Sequence, residues 1–258
     1  MVRHYILLSS SYSQGIRIAL DFVDLPIESN KLQSLINRIK KACGEDVAIS
    51  LHSIEAKDAK WESVGETDAF FKDVRLISSE DAFIRLIKED RDLRGLDVAK
   101  YILSVLDSCT HLKLEKLVYL CYAEYLCQTG GEKLFNDRIY AYRYGPVVKS
   151  VYDHYKKYAG NPIGKEFSGD PIEEDLPGRK DMLSARSRIL FAEDGLKKLR
   201  SITETIEKYR SFTGGQLIDI THRKGTPWSY SDSTGSNKPI KDKLILEYHY
   251  KEDPSILS

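Results

Sequence analysis

The chain has 258 residues, of which 41% are hydrophobic and 30% charged, and its 39 basic side chains balance 39 acidic ones. This is enough apolar material for a packed core and too much for a disordered chain. The charge is also balanced locally, since residues 1–95 contain 14 basic and 16 acidic side chains. Non-specific nucleic-acid binders carry a basic excess, so we do not expect nucleic acid as a partner.

Neither a membrane segment nor a targeting segment is evident. No apolar run approaches the roughly eighteen residues that a membrane span needs, and the run ending at Leu8 is too short for a signal-peptide core. The cysteines, which lack CxxC spacing, are Cys43, Cys109, Cys121 and Cys127. We interpret them as reduced, buried thiols, with a disulfide or a zinc site as the alternative. These features predict a cytoplasmic protein without a cofactor.

The first 92 residues mix short apolar runs with helical patterns. The predicted strands are residues 4–8, 47–51 and 74–77. One helix is predicted over residues 27–43, capped by Ser29 or Asn30, and another opens at residues 78–81. The combination predicts a small α/β module whose sheet is covered on one face by helices.

From Leu96 onward the pattern is mainly helical, so the predicted fold class is α+β: the α/β module at residues 1–92, then a helical domain at residues 96–250. Asp97 and Thr110 can cap the first two helices of that domain. A variable loop rich in glycine and proline is predicted at residues 159–187.

Later helices follow from their apolar spacing. Pro146 suits the first position of a helix, which predicts a helix over residues 147–158. Another long helix is predicted to start at Glu193, and a short one covers residues 213–222. A last helix or strand is predicted over about 239–250.

The helix predicted over residues 111–128 is apolar around most of its girth. A helix of this kind is buried on several sides, so we expect it to be the central helix of a bundle. Its charged side chains form a narrow strip of Lys113, Lys116 and Glu124, with Glu115 apart.

No catalytic motif is present. The chain lacks GxSxG, HExxH and the phosphate-binding glycine loop, and its six histidines are scattered singly. Cys109 and His111 could supply a thiolate and a base, but residues this close in sequence are more often part of a helix start. We therefore predict that the protein is not an enzyme and holds no metal.

Tyrosine is the unusual feature of the composition, because ten of the sixteen tyrosines fall between residues 101 and 158. Tyrosine offers a large apolar area with a polar tip, which suits protein contact surfaces. The tyrosines after Thr110 are predicted to be mostly core, whereas several later ones could form a surface: Tyr140, Tyr142, Tyr144, Tyr152 and Tyr155. Arg143 could anchor a partner there, or could tie the tyrosine loop to Glu115 or Glu124.

Two segments together resemble a known family. The first runs from His111 through KLEKLVYLCYAEYL and continues at Ala141 with YRYGPVV, then Val151 and Tyr152. The second is the LIDITHRKGTPW segment that ends at Trp228. They resemble the "LxLxKLLYL", "AWxYGPVVxxVY" and "THxxxPW" patterns of the Panacea antitoxin domain, also called SocA-like or GepA-like. Tyr142 stands where the family usually has tryptophan.

The resemblance covers residues 96–250 and implies a helical domain that binds and neutralises a toxin encoded beside it. It further implies that the partner is a cognate protein toxin, and that the chain belongs to a bacterial or prophage toxin–antitoxin pair. We expect the following residues to lie near one another as the partner-binding site: Tyr140, Tyr142, Arg143, Tyr144, Tyr152, His222 and Trp228. The resemblance does not cover residues 1–95.

Two alternatives to an antitoxin stay open, and so does the role of the N-terminal module. The protein could be a regulatory or proteolysis-adaptor protein of a mobile genetic element, with a protease or a second copy of the chain as its partner. It could also be an enzyme with an unfamiliar site. The N-terminal module could set toxin specificity, bind operator DNA or act separately, and a role in protein contact is favoured because it shows no recognition helix with a basic stripe.

Overall fold

The computed structural model describes residues 1–12, 14–24, 30–164, 184–231 and 237–257. The fold is α+β, as predicted. The described residues form two compact units: one contains residues 1–92 with 184–194, and the other contains residues 93–164 with 195–257. No helix in these ranges is long and apolar enough to cross a membrane.

The first unit is built on a four-stranded sheet with the order β3-β1-β2-β4, in which only β2 and β4 are parallel. Its strands are β1 (Val2–Ser11), β2 (Ile16–Val23), β3 (Ser50–Ala56) and β4 (Val74–Leu76). Its first helices are α1 (Asn30–Cys43), α2 (Trp61–Thr67) and α3 (Glu80–Glu89).

Helices cover both faces of this sheet, so the prediction of one covered face is wrong. Leu7 packs with residues of α1 and α3. Its neighbours Ile6 and Leu8 point to the other face and pack with Val64 of α2 and with Phe71. Side chains alternate between the faces of a strand, and an apolar run without alternation, as in β1, therefore fits a strand buried on both faces.

Other differences from the sequence prediction are local. Strand β2 and helix α2 were not predicted, and the strand predicted over residues 47–51 begins only at Ser50. The predicted helix start at Ile27 and the cap at Ser29 lie outside the described residues. Ser79 caps α3, whose first turn is acidic, as expected.

Helix α7 (Ala185–Phe191) belongs to the first unit although it follows much of the second in sequence. The buried guanidinium of Arg188 donates hydrogen bonds to the carbonyls of Asp90 (2.6 Å) and Asp92 (2.5 Å). Arg91 in turn donates to the Phe191 carbonyl at 3.0 Å. The assignment of this segment to the helical domain and its variable loop is therefore wrong, and the rest of that loop, residues 165–183, lies outside the described residues.

The second unit is organised around one central helix, as predicted. Helix α5 (His111–Gln128) is buried along most of its length, and helices from both flanks of the sequence pack against it. The other helices of the unit are α4 (Gly95–Val105), α6 (Lys149–Tyr155), α8 (Gly195–Tyr209), α9 (Gly214–His222), α10 (Pro227–Ser231) and α11 (Asp242–Tyr248).

Of the two caps predicted for the first helices of this unit, one is confirmed and one is wrong. Thr110 caps α5, because its side chain accepts a hydrogen bond from the Lys113 backbone N–H. Asp97 is not the cap of α4. Arg94 occupies that position, and the Asp97 carboxylate reaches back to the Arg94 N–H at 2.9 Å, as the fourth residue of a capping box does.

A small sheet replaces the predicted start of the helix at Pro146. Strands β6 (Ile139–Tyr142) and β7 (Gly145–Val148) form a hairpin, and β9 (Lys238–Pro239) pairs with β6 on its other side. Proline is tolerated in β7 because β7 is an edge strand. Helix α6 follows only at Lys149. Elsewhere β5 (Cys109–Thr110) pairs with β8 (Pro162–Ile163).

Candidate partner-binding surface

Gly145 brings the β6–β7 hairpin into direct contact with the helices beneath it. Its φ angle is +103°, in the region that favours glycine. A Cβ atom at this position would lie 3.1 Å from both Lys116 Cε and Thr221 Oγ1. The hairpin backbone therefore packs so closely against α5 and α9 that a side chain here would crowd Lys116 and Thr221.

Lys116 of α5 binds the same hairpin through a buried hydrogen bond. Its amine is fully buried and donates a 2.7 Å hydrogen bond to the Pro146 carbonyl. Burial lowers the pKa of Lys116 to about 8, although the charge of Glu115 acts in the opposite direction. Glu115 lies 3.8 Å from the amine through one carboxylate oxygen and contacts His111 through the other. Lys116 of the charged strip is therefore an internal cation.

Trp228 connects the hairpin to the end of α9. Its indole Nε1 donates a 2.8 Å hydrogen bond to the Tyr142 carbonyl. The indole ring stacks on the ring of His222, with centroids 3.7 Å apart and planes 10° apart. Burial and the nearby Lys116 lower the pKa of His222, so its imidazole is neutral at neutral pH.

The tyrosines continue this arrangement across the hairpin and α6. The rings of Tyr140 and Tyr142 lie 6.4 Å apart, and Tyr142 meets Tyr152 edge to face at 5.3 Å. All three are half-buried. Tyr144, in the hairpin turn, is 59% exposed, and the guanidinium of Arg143 lies 5.6 Å from its ring centre.

The structure thus brings the predicted site residues together by contact or by direct sequence adjacency in the hairpin. We call this set the aromatic surface: Tyr140, Tyr142, Arg143, Tyr144, Tyr152, His222 and Trp228. Contact of these residues with a partner stays a prediction.

Two expectations about neighbouring residues are wrong. Tyr155 is fully buried and does not contribute to a surface. Arg143 does not tie the tyrosine loop to Glu115 or Glu124, because Glu115 contacts His111 and Lys116 whereas Glu124 pairs with a lysine of α8. Arg143 is exposed instead.

Cys109 and His111 do not form an activated pair. Burial raises the pKa of the Cys109 thiol to about 12, so the thiol is protonated at neutral pH and is a poor nucleophile. The imidazole Nε2 of His111 faces Glu115. Within the described ranges, no group of three or more histidine, cysteine, aspartate or glutamate side chains could hold a metal ion.

Residues 114–229 match the family model described as antitoxin SocA-like, Panacea domain. The resemblance to the Panacea domain is confirmed for these residues. They make up less than half of the 258 residues, so the match is shorter than the expected span of residues 96–250. No curated protein and no solved structure matches the chain.

The Panacea match contains every residue of the aromatic surface, and it also contains Lys116 and Gly145. Lys116 comes from the helical part of the first motif and Gly145 and Pro146 from its turn, and the hydrogen bond to the Pro146 carbonyl joins the two parts in this chain. Thr221, beside Gly145, comes from the second motif.

A second buried polar cluster lies partly beyond the Panacea match and was missed by sequence reasoning. The Tyr119 hydroxyl donates to Glu252, and His249 Nδ1 lies 2.7 Å from the same carboxylate. On its other side His249 Nε2 lies 3.6 Å from Glu124, which accepts a 2.7 Å hydrogen bond from Lys208. These groups are far apart in sequence, so no local motif signals them.

This cluster fastens the C-terminal segment to α5. Burial alone would lower the pKa of His249, but Glu124 and Glu252 outweigh burial and raise it to about 9. The imidazolium therefore bridges a carboxylate of α5 and one of the C-terminal segment at neutral pH. Beside it lies a cleft of about 260 Å³, which is lined in part by the paired charges of Glu124, Lys208 and Asp253.

Proposed function

We propose that this protein is the antitoxin of a bacterial or prophage toxin–antitoxin pair and that it neutralises its cognate toxin in the cytoplasm by direct protein contact. The observation that carries the proposal is the match of residues 114–229 to the antitoxin Panacea domain, since the match contains the entire aromatic surface. The match supports a toxin–antitoxin role in general terms, and the contact surface is our own assignment.

The aromatic surface has the composition of a protein-binding site. Tyrosine, tryptophan and arginine are the residues that most often carry the binding energy of an interface. Exposed Tyr144 and Arg143 stand at the tip of the hairpin, and half-buried Tyr140, Tyr142 and Tyr152 lie behind them. An inhibitor needs affinity for its partner and no chemistry of its own, so this arrangement supports neutralisation by direct contact.

The surface is also held in position before a partner arrives. Lys116 fixes the Pro146 carbonyl, and Trp228 fixes the Tyr142 carbonyl through its indole N–H. Side chains that are already ordered lose less conformational entropy on binding. This supports a hairpin that docks as a rigid element.

We further propose that the N-terminal module contacts the toxin and helps to determine which toxin is bound. Its sheet is covered by helices on both faces. It is not covered by the family match, and so it can differ between antitoxins that share the Panacea domain.

The test is co-expression with the product of the adjacent reading frame. Expression of the neighbour alone should stop bacterial growth, and this protein should restore it. Tyr144→Ala should weaken rescue and direct binding at least about fivefold. Tyr250→Ala is the matched control, because Tyr250 is also 59% exposed and also has a cation, Lys251, near its ring.

A harmless neighbour, or a toxic neighbour that this protein does not relieve, would contradict the antitoxin assignment. Equal rescue by the Tyr144 and Tyr250 variants would contradict the assigned surface. Rescue that disappears in a host lacking its ATP-dependent proteases would instead identify a proteolysis adaptor.

A further inference from the structure

The aromatic surface lies within a concentration of positive charge that the net charge of the chain conceals. Residues 137–158 contain five lysine and arginine side chains and two carboxylates, in a chain with no net charge. The five cations are Arg138, Arg143, Lys149, Lys156 and Lys157.

The fold places these cations among the tyrosines. Ile139 and Ala141 of β6 are buried, so the two-residue period of the strand puts Arg138, Tyr140 and Tyr142 on its other face. Lys238 of the neighbouring strand pairs in register with Ala141 and therefore lies on the opposite face, outside this surface.

Helix α6 adds cations to the same surface. Lys149 and Tyr140 line one open depression of about 340 Å³, together with Arg138. The Lys156 amine lies 5.6 Å from the ring centre of Tyr152. Aromatic and cationic groups therefore alternate across β6 and α6.

The two carboxylates offset only part of this positive charge. Asp137 accepts hydrogen bonds from the Gly95 N–H and the Ser150 hydroxyl, and both Asp137 and Asp153 line the depression beside Arg138. Asp153 is shared between Lys149 and Lys156. Among the described residues, no carboxylate pairs with Arg138 or Arg143, and both side chains are exposed.

We propose that this basic aromatic surface docks an acidic protein segment, in which aspartate and glutamate side chains meet the arginines and the tyrosine hydroxyls. The inference rests on the proposed function, because it describes the face of the toxin that the antitoxin covers. Complementary charge raises the rate of association and selects the partner, and arginine binds carboxylates through two parallel hydrogen bonds.

The ring geometry favours a protein over a nucleic acid. Single-stranded nucleic acids bind where bases can stack on open aromatic faces. Here Tyr142 and Tyr152 pack edge to face, and one face of the Trp228 ring is covered by His222. The exposed guanidinium groups of Arg138 and Arg143 suit carboxylates.

The test uses the full chain and a fluorescein-labelled peptide of repeating Glu-Asp-Gly-Leu units, with binding followed by fluorescence anisotropy. A peptide with lysine in place of both acids and a labelled oligouridylate are the comparison probes. We expect the acidic peptide to bind best, and its affinity to fall as salt is raised, because added ions screen exposed charges.

The decisive variant is Arg138→Glu with Arg143→Glu. It should reduce binding of the acidic peptide at least about fivefold. The matched control is Arg200→Glu with Arg210→Glu, which makes the same charge change at two exposed arginines of the same unit. It should leave binding within about twofold of the wild type, and equal melting temperatures of both double variants would show that folding is unaffected.

Absent peptide binding at low salt, equal loss in both double variants, or tighter binding of oligouridylate at the same arginines would each overturn the inference. The outcome is separate from that of the rescue test. Arginine-dependent peptide binding without rescue would sustain the acidic-partner surface and refute the antitoxin assignment. Full rescue by the Arg138→Glu, Arg143→Glu variant would sustain the antitoxin assignment and refute the acidic-partner surface.

Discussion

The Lys116 amine and the Pro146 carbonyl form a fully buried 2.7 Å hydrogen bond. It joins the central helix α5 to the hairpin that carries the tyrosines. The buried cation is balanced by Glu115, because a charge without a partner would be costly inside the protein. The position of the aromatic surface thus depends on Lys116, a buried side chain that is not part of that surface.

Lys116→Met should lower the free energy of unfolding by about 2–4 kcal/mol, because it leaves the Pro146 carbonyl and Glu115 without their buried partner. The measurement is urea denaturation followed by circular dichroism. Lys113→Met is the control, since the Lys113 amine bonds the Arg210 carbonyl at an exposed site and its loss should cost less than about 1 kcal/mol. Equal losses would contradict a special role for Lys116.

Gly145→Ala should destabilise the fold through both backbone strain and crowding. The positive φ costs about 1 kcal/mol for alanine, and the new Cβ would press on Lys116 and Thr221. Gly130→Ala isolates the first effect, since Gly130 has φ +70° and nothing within 4 Å of its Cβ position. Thermal unfolding should rank the Gly145 variant clearly below the Gly130 variant, and the same melting temperature for both would show that the hairpin can move away from α5.

The Cys109 thiol should be unreactive in the folded protein. Burial raises its pKa to about 12, and the thiolate is the form that reacts with alkylating agents. Iodoacetamide at pH 8, followed by peptide mass spectrometry, should label Cys109 only after denaturation. Rapid labelling of the native protein that slows in a His111→Ala variant would instead reveal an activated cysteine and favour an enzyme.

His249 should make stability depend on pH. Its pKa in the fold, about 9, lies above the ordinary value of 6.5, so the imidazolium stabilises the protein fully below about pH 6.5. This contribution, about 3 kcal/mol at most, is lost as the pH rises through 9. Urea denaturation from pH 6 to 9.5 measures it.

His249→Gln is the comparison for that experiment. Lys116 titrates in part of the same range with the opposite sign, because its lowered pKa favours the fold as the pH rises above about 8. The difference between wild type and His249→Gln therefore reports on His249 alone. A difference that is constant from pH 6 to 9.5 would refute the ionic bridge to Glu124 and Glu252.

Local patterns were sufficient where a structure depends on neighbours in sequence. Thr110 caps α5 because its hydroxyl needs to reach only three residues along the chain. The apolar circumference of α5 predicted its central position, since such a helix has no face suited to water. The resemblance to the Panacea patterns also led to the prediction that Tyr142 and Trp228 lie near each other, and they share a hydrogen bond.

Other features were decided only by tertiary structure. Lys116 looks like a surface residue in sequence, and its burial depends on a carbonyl thirty positions away. Helix α7 likewise joins the first unit through contacts distant in sequence, such as that of Arg188 with the Asp90 carbonyl. The cluster around His249 also forms from residues that are far apart in the chain. Ionic groups bring no apolar pattern into a sequence, so their partners become known only when the chain has packed and each buried charge has found an opposite charge or a carbonyl.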